Sequence, residues 1–166
     1  MTEFIIKPTE PSTDFAAIAQ VYYQTWMATY RGLIADGYLQ QLSPSTWHPE
    51  RRWRNTIIAS TTKGEIVGVC SFGPSRMDTH TGWGEIYSLY VLPAYHGAGL
   101  GRKLLDAAMT RLRTKYDHIF LLVLVGNQAA QGFYRHVGFG DTGKRRTDQV
   151  PGATLKEAYM EWRGEL

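Results

Sequence analysis

Glu85-Ile-Tyr-Ser-Leu-Tyr-Val-Leu-Pro-Ala-Tyr-His-Gly-Ala-Gly-Leu-Gly-Arg-Lys-Leu-Leu105 decides how the rest of the chain is read. From Ile86 to Leu92 the run is rich in β-branched and aromatic residues, which predicts a strand. Pro93 has no backbone donor and ends the ladder. Gly97, Gly99 and Gly101 follow on alternate positions, and Leu100, Leu104, Leu105, Ala108, Met109 and Leu112 then recur at helical spacing. The unit is strand, glycine loop, helix. The first N–H groups of a helix lack internal partners, and the helix dipole puts partial positive charge at the same end. Glycines let those N–H groups close around a phosphate or pyrophosphate. Arg102 and Lys103 add cations beside it.

The loop is neither of two common phosphate loops. A dinucleotide G-x-G-x-x-G would need glycine where Arg102 stands, and no start position yields the Walker pattern G-x-x-x-x-G-K-[ST]. His96-Gly-Ala-Gly-Leu-Gly101 instead resembles the acyl-CoA pyrophosphate loop of the GNAT superfamily of N-acetyltransferases, written [RQ]-x-x-G-x-[GA]. His96 departs from the pattern at the Arg/Gln position, which mainly shapes the loop. The resemblance implies that His96, Gly97, Ala98, Gly99, Leu100, Gly101 and Arg102 hold acetyl-CoA, the expected co-substrate.

A second motif, Val125-Gly-Asn-Gln-Ala-Ala-Gln-Gly-Phe-Tyr-Arg-His-Val-Gly-Phe139, is similar to the GNAT segment in which a strand end carries Asn and the next helix carries Phe-Tyr before Gly-Phe. By that resemblance Asn127 bonds the pantetheine arm and Tyr134 stands near the CoA sulfur as general acid. Acyl transfer expels a thiolate, and a phenol at hydrogen-bond distance can protonate it. The order of the whole chain, with Trp26-x-x-x-Tyr-Arg-Gly-Leu-Ile34 early and Phe72-Gly-Pro-Ser75 before the central strand, also resembles bacterial GNAT proteins of unassigned acceptor. Membership implies a sheet splayed between the fourth and fifth strands, with backbone N–H groups from Leu89, Tyr90 and Val91 holding the thioester carbonyl.

The chain has 166 residues, 43% hydrophobic and 20% charged, which suits one folded domain over 1–166 and excludes a disordered chain. Net charge is +3, too mild to argue for nucleic acid. No apolar run is long enough to span a bilayer, and the N-terminus lacks a signal pattern. The lone Cys70 excludes an internal disulfide and suits a cytoplasmic setting. Five histidines without metal-ligand spacing argue against a metal site.

In order, the pattern predicts a first strand at Phe4–Lys7 and a helix whose face carries Phe15, Ile18, Ala19, Tyr22, Trp26 and Tyr30, with Gly32 ending it. Short helices are expected over 36–42 and 49–54, then a strand hairpin over 57–72. Residues 73–84 read as a mobile loop, for want of periodicity. Ile119 to Val125 is an apolar run that suits a strand buried on both faces. A helix over 128–137 and two strands, 139–146 and 155–163, complete the chain. The expected fold is α/β: one mixed, twisted sheet with helices on both faces.

Glu85 opens the central strand, where Glu85, Tyr87, Leu89 and Val91 are expected on one face. It matches the glutamate that some GNAT enzymes use as general base. An ordinary strand-end carboxylate in a salt bridge or cap is the other reading. Trp26, Tyr30, Trp83 and Tyr87 suit the wall of an amine pocket, because aromatic faces attract cations, while core packing equally accounts for Trp26 and Tyr30. The expected activity is acetyl transfer from acetyl-CoA to a primary amine of a small molecule. A protein N-terminus or lysine acceptor, and a non-catalytic acyl-CoA-binding module, are the alternatives. No nucleic-acid or membrane partner is expected, and a homodimer is left open.

Overall fold

The computed structural model describes residues 3–164. Its strands are β1 (Phe4–Pro8), β2 (Thr56–Thr61), β3 (Ile66–Pro74), β4 (Gly84–Val91), β5 (Ile119–Leu124), β6 (Phe139–Val150) and β7 (Ala153–Trp162). Its α-helices are α1 (Phe15–Tyr30), α2 (Asp36–Leu39), α3 (Leu100–Leu112) and α4 (Gln128–His136). The strands form one sheet in the order β1-β2-β3-β4-β5-β7-β6. Of the pairings between these strands, β4–β5 is parallel and the others are antiparallel.

Alternation along the strands separates two cores. Asp14 caps α1 by accepting the Ala17 N–H at 3.1 Å, and Ile18, Val21 and Tyr22 then bury against Ile58 and Val69. On the opposite face Leu100, Leu104, Leu105 and Leu112 of α3 pack against Ile57, Val67, Cys70 and Phe72. Helices therefore cover both faces of a mixed sheet, as the alternation of segments predicts.

β4 pairs with β5 only through Gly84–Ile119, Glu85–Phe120 and Ile86–Leu121, after which the two strands part, β4 staying paired with β3 and β5 with β7. A bulge accompanies this splaying. Phe72 faces Ile86 but Ser71 faces Ser88, so Tyr87 is an extra residue in β4. A bulge bends its strand and steepens the local twist, turning the second half of β4 away from its neighbour. It also corrects the expected alternation. Leu89 and Val91 share the α3 face with Ile86, whereas Glu85 falls on the α1 face with Ser88 and Tyr90.

Three local expectations change. The helix expected over 36–42 stops at Leu39, and 49–54 is a 3-10 segment, Pro49–Asn55, broken at Arg52. Residues 73–84 are anchored instead of loose: Gly73 and Pro74 extend β3, and His80, 2% exposed, bonds Glu161 at 3.0 Å and stacks on Phe120 and Tyr159. The last hairpin is longer than expected. Thr147, Asp148 and Gln149 pair with Lys156, Leu155 and Thr154, because backbone pairing does not need the apolar pattern that sequence reading follows.

Candidate active site

The splayed strands open a cavity of about 790 Å³. Ser88 to Val91 of β4 form one wall and Leu122 to Leu124 of β5 the other; α1 supplies Thr25, Trp26 and Tyr30, and α4 supplies Tyr134. Leu92 donates its N–H to Val67 of β3 at 2.9 Å. By alternation Tyr90 turns its backbone the same way, so Leu89 and Val91 present N–H and C=O to the open side. Of the three residues expected to meet the thioester through backbone groups, Tyr90 lines the cavity with its side chain instead.

The glycine loop follows β4, and His96 at its start lines the cavity. Gly97 (φ 84°) and Gly99 (φ 76°) have left-handed backbones that a side chain would strain. Gly99 is the N-cap of α3, and no side chain among the described residues caps the first N–H groups of that helix. They are free to meet an anion. Leu100 is buried in the core, leaving only its backbone to that task. Arg102 turns along the helix to Asp106, with Nε 3.0 Å from Oδ1. His96 reaches back to the cleft, where Nε2 lies 2.7 Å from the Val91 carbonyl. A carbonyl only accepts, so Nε2 carries the hydrogen. The departure from Arg/Gln thus keeps a side-chain donor at that position.

The end of β5 is held by α4. Asn127 caps this helix through Oδ1, accepting the Ala130 N–H at 3.2 Å. Gln131 donates Nε2 to the carbonyls of Leu124 (3.0 Å) and Val125 (2.8 Å). One turn on, Tyr134 packs edge-on against Phe133 and Phe139. Burial pushes its phenol well above the ordinary range, so it stays protonated. Tyr30 lines the cleft beside Asn127 and Tyr90, and burial raises its pKa to about 12. Trp26 donates Nε1 to the Tyr90 hydroxyl at 3.1 Å and meets the Tyr30 ring edge-on at 4.5 Å.

At the α1 side of the cavity the Tyr87 ring lies between two guanidiniums, Arg52 at 4.4 Å and Arg76 at 4.3 Å from its centroid. The Tyr87 hydroxyl donates to the Pro74 carbonyl. Gly73 leaves room for it; a Cβ there would stand 2.6 Å from the phenol oxygen. Arg52 makes no ion pair among the described residues.

Trp26, Tyr30 and Tyr87 line the cavity as the sequence suggests, but two expected residues do not. Glu85 is fully buried behind the wall and held by Arg76: Nη2 at 2.6 Å and Nε at 3.2 Å from Oε2, with the Arg76 N–H 2.9 Å from Oε1. The bulge turns it from the Leu89 face, and its position in the paired part of β4–β5 keeps it from the opening. Trp83 stacks on His118 at 4.9 Å and meets His80 edge-on, at the closed end of the same strands. Sequence reading missed Thr25, whose Oγ1 is buried without a hydrogen-bond partner among the described residues, and Arg52, Arg76, Asp148 and Glu157. Glu157 left one signal: an acid between Leu155 and Tyr159 on one face of a strand.

Residues 18–139 match the family model described as the acetyltransferase (GNAT) family. The chain belongs to the GNAT acetyltransferase family. An N-acetyltransferase of Bacillus subtilis named YuaI, described as uncharacterized, is 28% identical over 90% of this chain and 87% of its own length. The L-methionine sulfoximine/L-methionine sulfone acetyltransferase of Pseudomonas paraeruginosa is 34% identical over 63% of this chain and 62% of its own length. The fold is shared with yncA of Salmonella typhimurium, solved with its cofactor acetyl-CoA, at TM-score 0.73 and 22% identity over 99% of this chain and 96% of that one. The GNAT match takes in the glycine loop, both splayed strands and Tyr134. It ends at Phe139, before the β6–β7 hairpin that carries Asp148 and Glu157. No helix among the described residues is long and apolar enough to cross a membrane.

Proposed function

We propose that this GNAT protein, as one domain over 1–166, transfers the acetyl group of acetyl-CoA directly to the primary amine of a small molecule. The observation that carries the reading is a cleft lined both by a buried, protonated Tyr134 and by His96, the residue that leads directly into the left-handed glycines and the uncapped N-terminus of α3. The residues fit the co-substrate. Backbone N–H groups around Gly99 and Gly101 suit the pyrophosphate, and Asn127 with the outward backbone of Leu89 and Val91 suits the pantetheine amides. Acetyl-CoA supplies the activated acyl group when bound.

Each residue then has a task. The Leu89 and Val91 N–H groups polarise the carbonyl and stabilise the charge that gathers on its oxygen. Tyr134 gives the departing sulfur its proton. Tyr30 and Trp26 fix Tyr90, and with it the wall against which the amine docks. Arg52, stacked on Tyr87 without a carboxylate partner, offers a cation to an acidic group on the acceptor. That favours an amino-acid-like molecule, the class named for the Pseudomonas relative. A reducing, cytoplasmic setting suits the buried Cys70.

A panel of primary amines with acetyl-CoA, read by thiol release, tests the reading. Amino-acid-like amines should react fastest. Thiol release from none of the amines would overturn it and leave an acyl-CoA-binding module.

A further inference from the structure

Resting on that acetyl-transfer reading, we infer that Glu157, and not Glu85, is the carboxylate that meets the acceptor amine and takes its proton. An amine enters mostly as ammonium, since an alkyl amine has a pKa of about 10.4. It sheds one proton to become nucleophilic. Its nitrogen then bonds the acetyl carbon, the carbon–sulfur bond breaks, and the nitrogen sheds a second proton. One proton goes to the sulfur by way of Tyr134, which is reprotonated, so one proton leaves for solvent. A carboxylate on the acceptor side of the cavity is the group that carries it out.

Among the described residues only two carboxylates line the cavity, Asp148 and Glu157. The Asp148 side chain is 40% exposed and sits 3.5 Å from Arg146 at the rim. Glu157 is 20% exposed and stands opposite Leu124 on β5, where β5 has parted from β4. It faces the cavity from the α1 side of the sheet, within the electrostatic reach of Tyr30. Arg146 donates Nη1 to its Oε1 at 2.9 Å and fixes the carboxylate; Oε2 makes no hydrogen bond among the described residues. The charged and titratable groups around it are Arg146 and Asp148 from β6, Arg76 from the β3–β4 connection and Tyr30 from α1. Burial is the largest influence and raises the carboxyl above its ordinary range despite Arg146, which makes it a stronger base than a free glutamate. His48 also lines the cavity, but it is half exposed and pairs with Glu50 at 3.4 Å.

Glu157→Gln and Glu157→Asp test the inference, with the best amine from the panel. In Glu157→Gln, kcat/KM for the amine should fall about a hundred-fold near pH 7. The acidic limb of its pH profile should vanish or move, and activity should return toward high pH as the amine deprotonates unaided. KM for acetyl-CoA should not change. Glu157→Asp should keep the limb at a reduced rate. Thermal midpoints and acetyl-CoA binding, measured on both variants, separate loss of fold from loss of chemistry. A Glu157→Gln enzyme with the wild-type profile overturns the inference alone, as do equal losses in both variants with the limb in place. A wild-type protein silent on every amine overturns the acetyl-transfer reading and takes this one with it.

Discussion

Arg76 grips Glu85 through both side chain and backbone, with Nη2 2.6 Å from Oε2 and the main-chain N–H 2.9 Å from Oε1. The same guanidinium stacks on Tyr87, so one arginine ties the connection after β3 to the bulge of β4. This pair makes Glu85 a brace for the cavity wall.

Arg76→Ala would strand the buried Glu85 charge. We expect a loss of about 2–3 kcal/mol. The value is at or below the usual cost of an orphaned buried charge, because Arg76 is 42% exposed and water can replace part of it. Urea denaturation checks this. Arg76→Ala and Glu85→Gln together should lose less than Arg76→Ala alone, and a double variant that loses more would contradict the brace.

Tyr134→Phe keeps the packing against Phe133 and Phe139 and removes the proton. Turnover should fall about ten- to a thousand-fold, overlapping the range for general acid catalysis. Acetyl-CoA affinity, measured by calorimetry, should barely change. Unchanged turnover would mean that water or another group protonates the sulfur.

Acetyl-CoA should raise the thermal midpoint, since a ligand that binds only the folded protein stabilises it. ATP and NADH at equal concentration should do much less. Gly99→Ala strains a left-handed N-cap by about 1 kcal/mol and should shrink the acetyl-CoA shift. An equal shift from ATP would point to a generic phosphate site.

Stability should fall steeply in alkali. Tyr22, Tyr30, Tyr90 and Tyr134 all have folded pKa values above the ordinary 10.0, with Tyr30 at about 12. Below pH 10 these phenols are protonated in both states and their contribution is fully present. As pH rises from 10 toward 12 the unfolded chain loses protons that the folded one keeps, and stability declines. Each phenol contributes up to about 1.4 kcal/mol per pH unit in that window. Denaturation midpoints at pH 8, 10 and 11 check the sign, and Tyr30→Phe should flatten the slope.

What the sequence by itself determined is local. A strand, three glycines and an amphipathic helix are contiguous, so the anion loop at Gly97–Gly101 is legible without knowing its neighbours. Asn127 and Tyr134 lie within one short strand–helix unit, and helical geometry alone puts them on the same side of the cleft. The splaying of the sheet followed from the resemblance those segments carry. Tertiary structure decided what depends on register and distant partners. A single extra residue at Tyr87 reverses the face of Glu85, and no alternation count reveals a bulge set by pairing with Ser71 and Phe72. Arg76, nine residues before Glu85, converts a candidate base into a buried ion pair. Trp83 lies only four residues before Tyr87, yet the closed part of β4–β5 lies between it and the cavity. Glu157 enters the site from a hairpin some seventy residues downstream of Glu85. Only the antiparallel pairing of β7 with β5 brings it beside Leu124, because strand order in a sheet is set by packing across the whole chain and not by proximity along it.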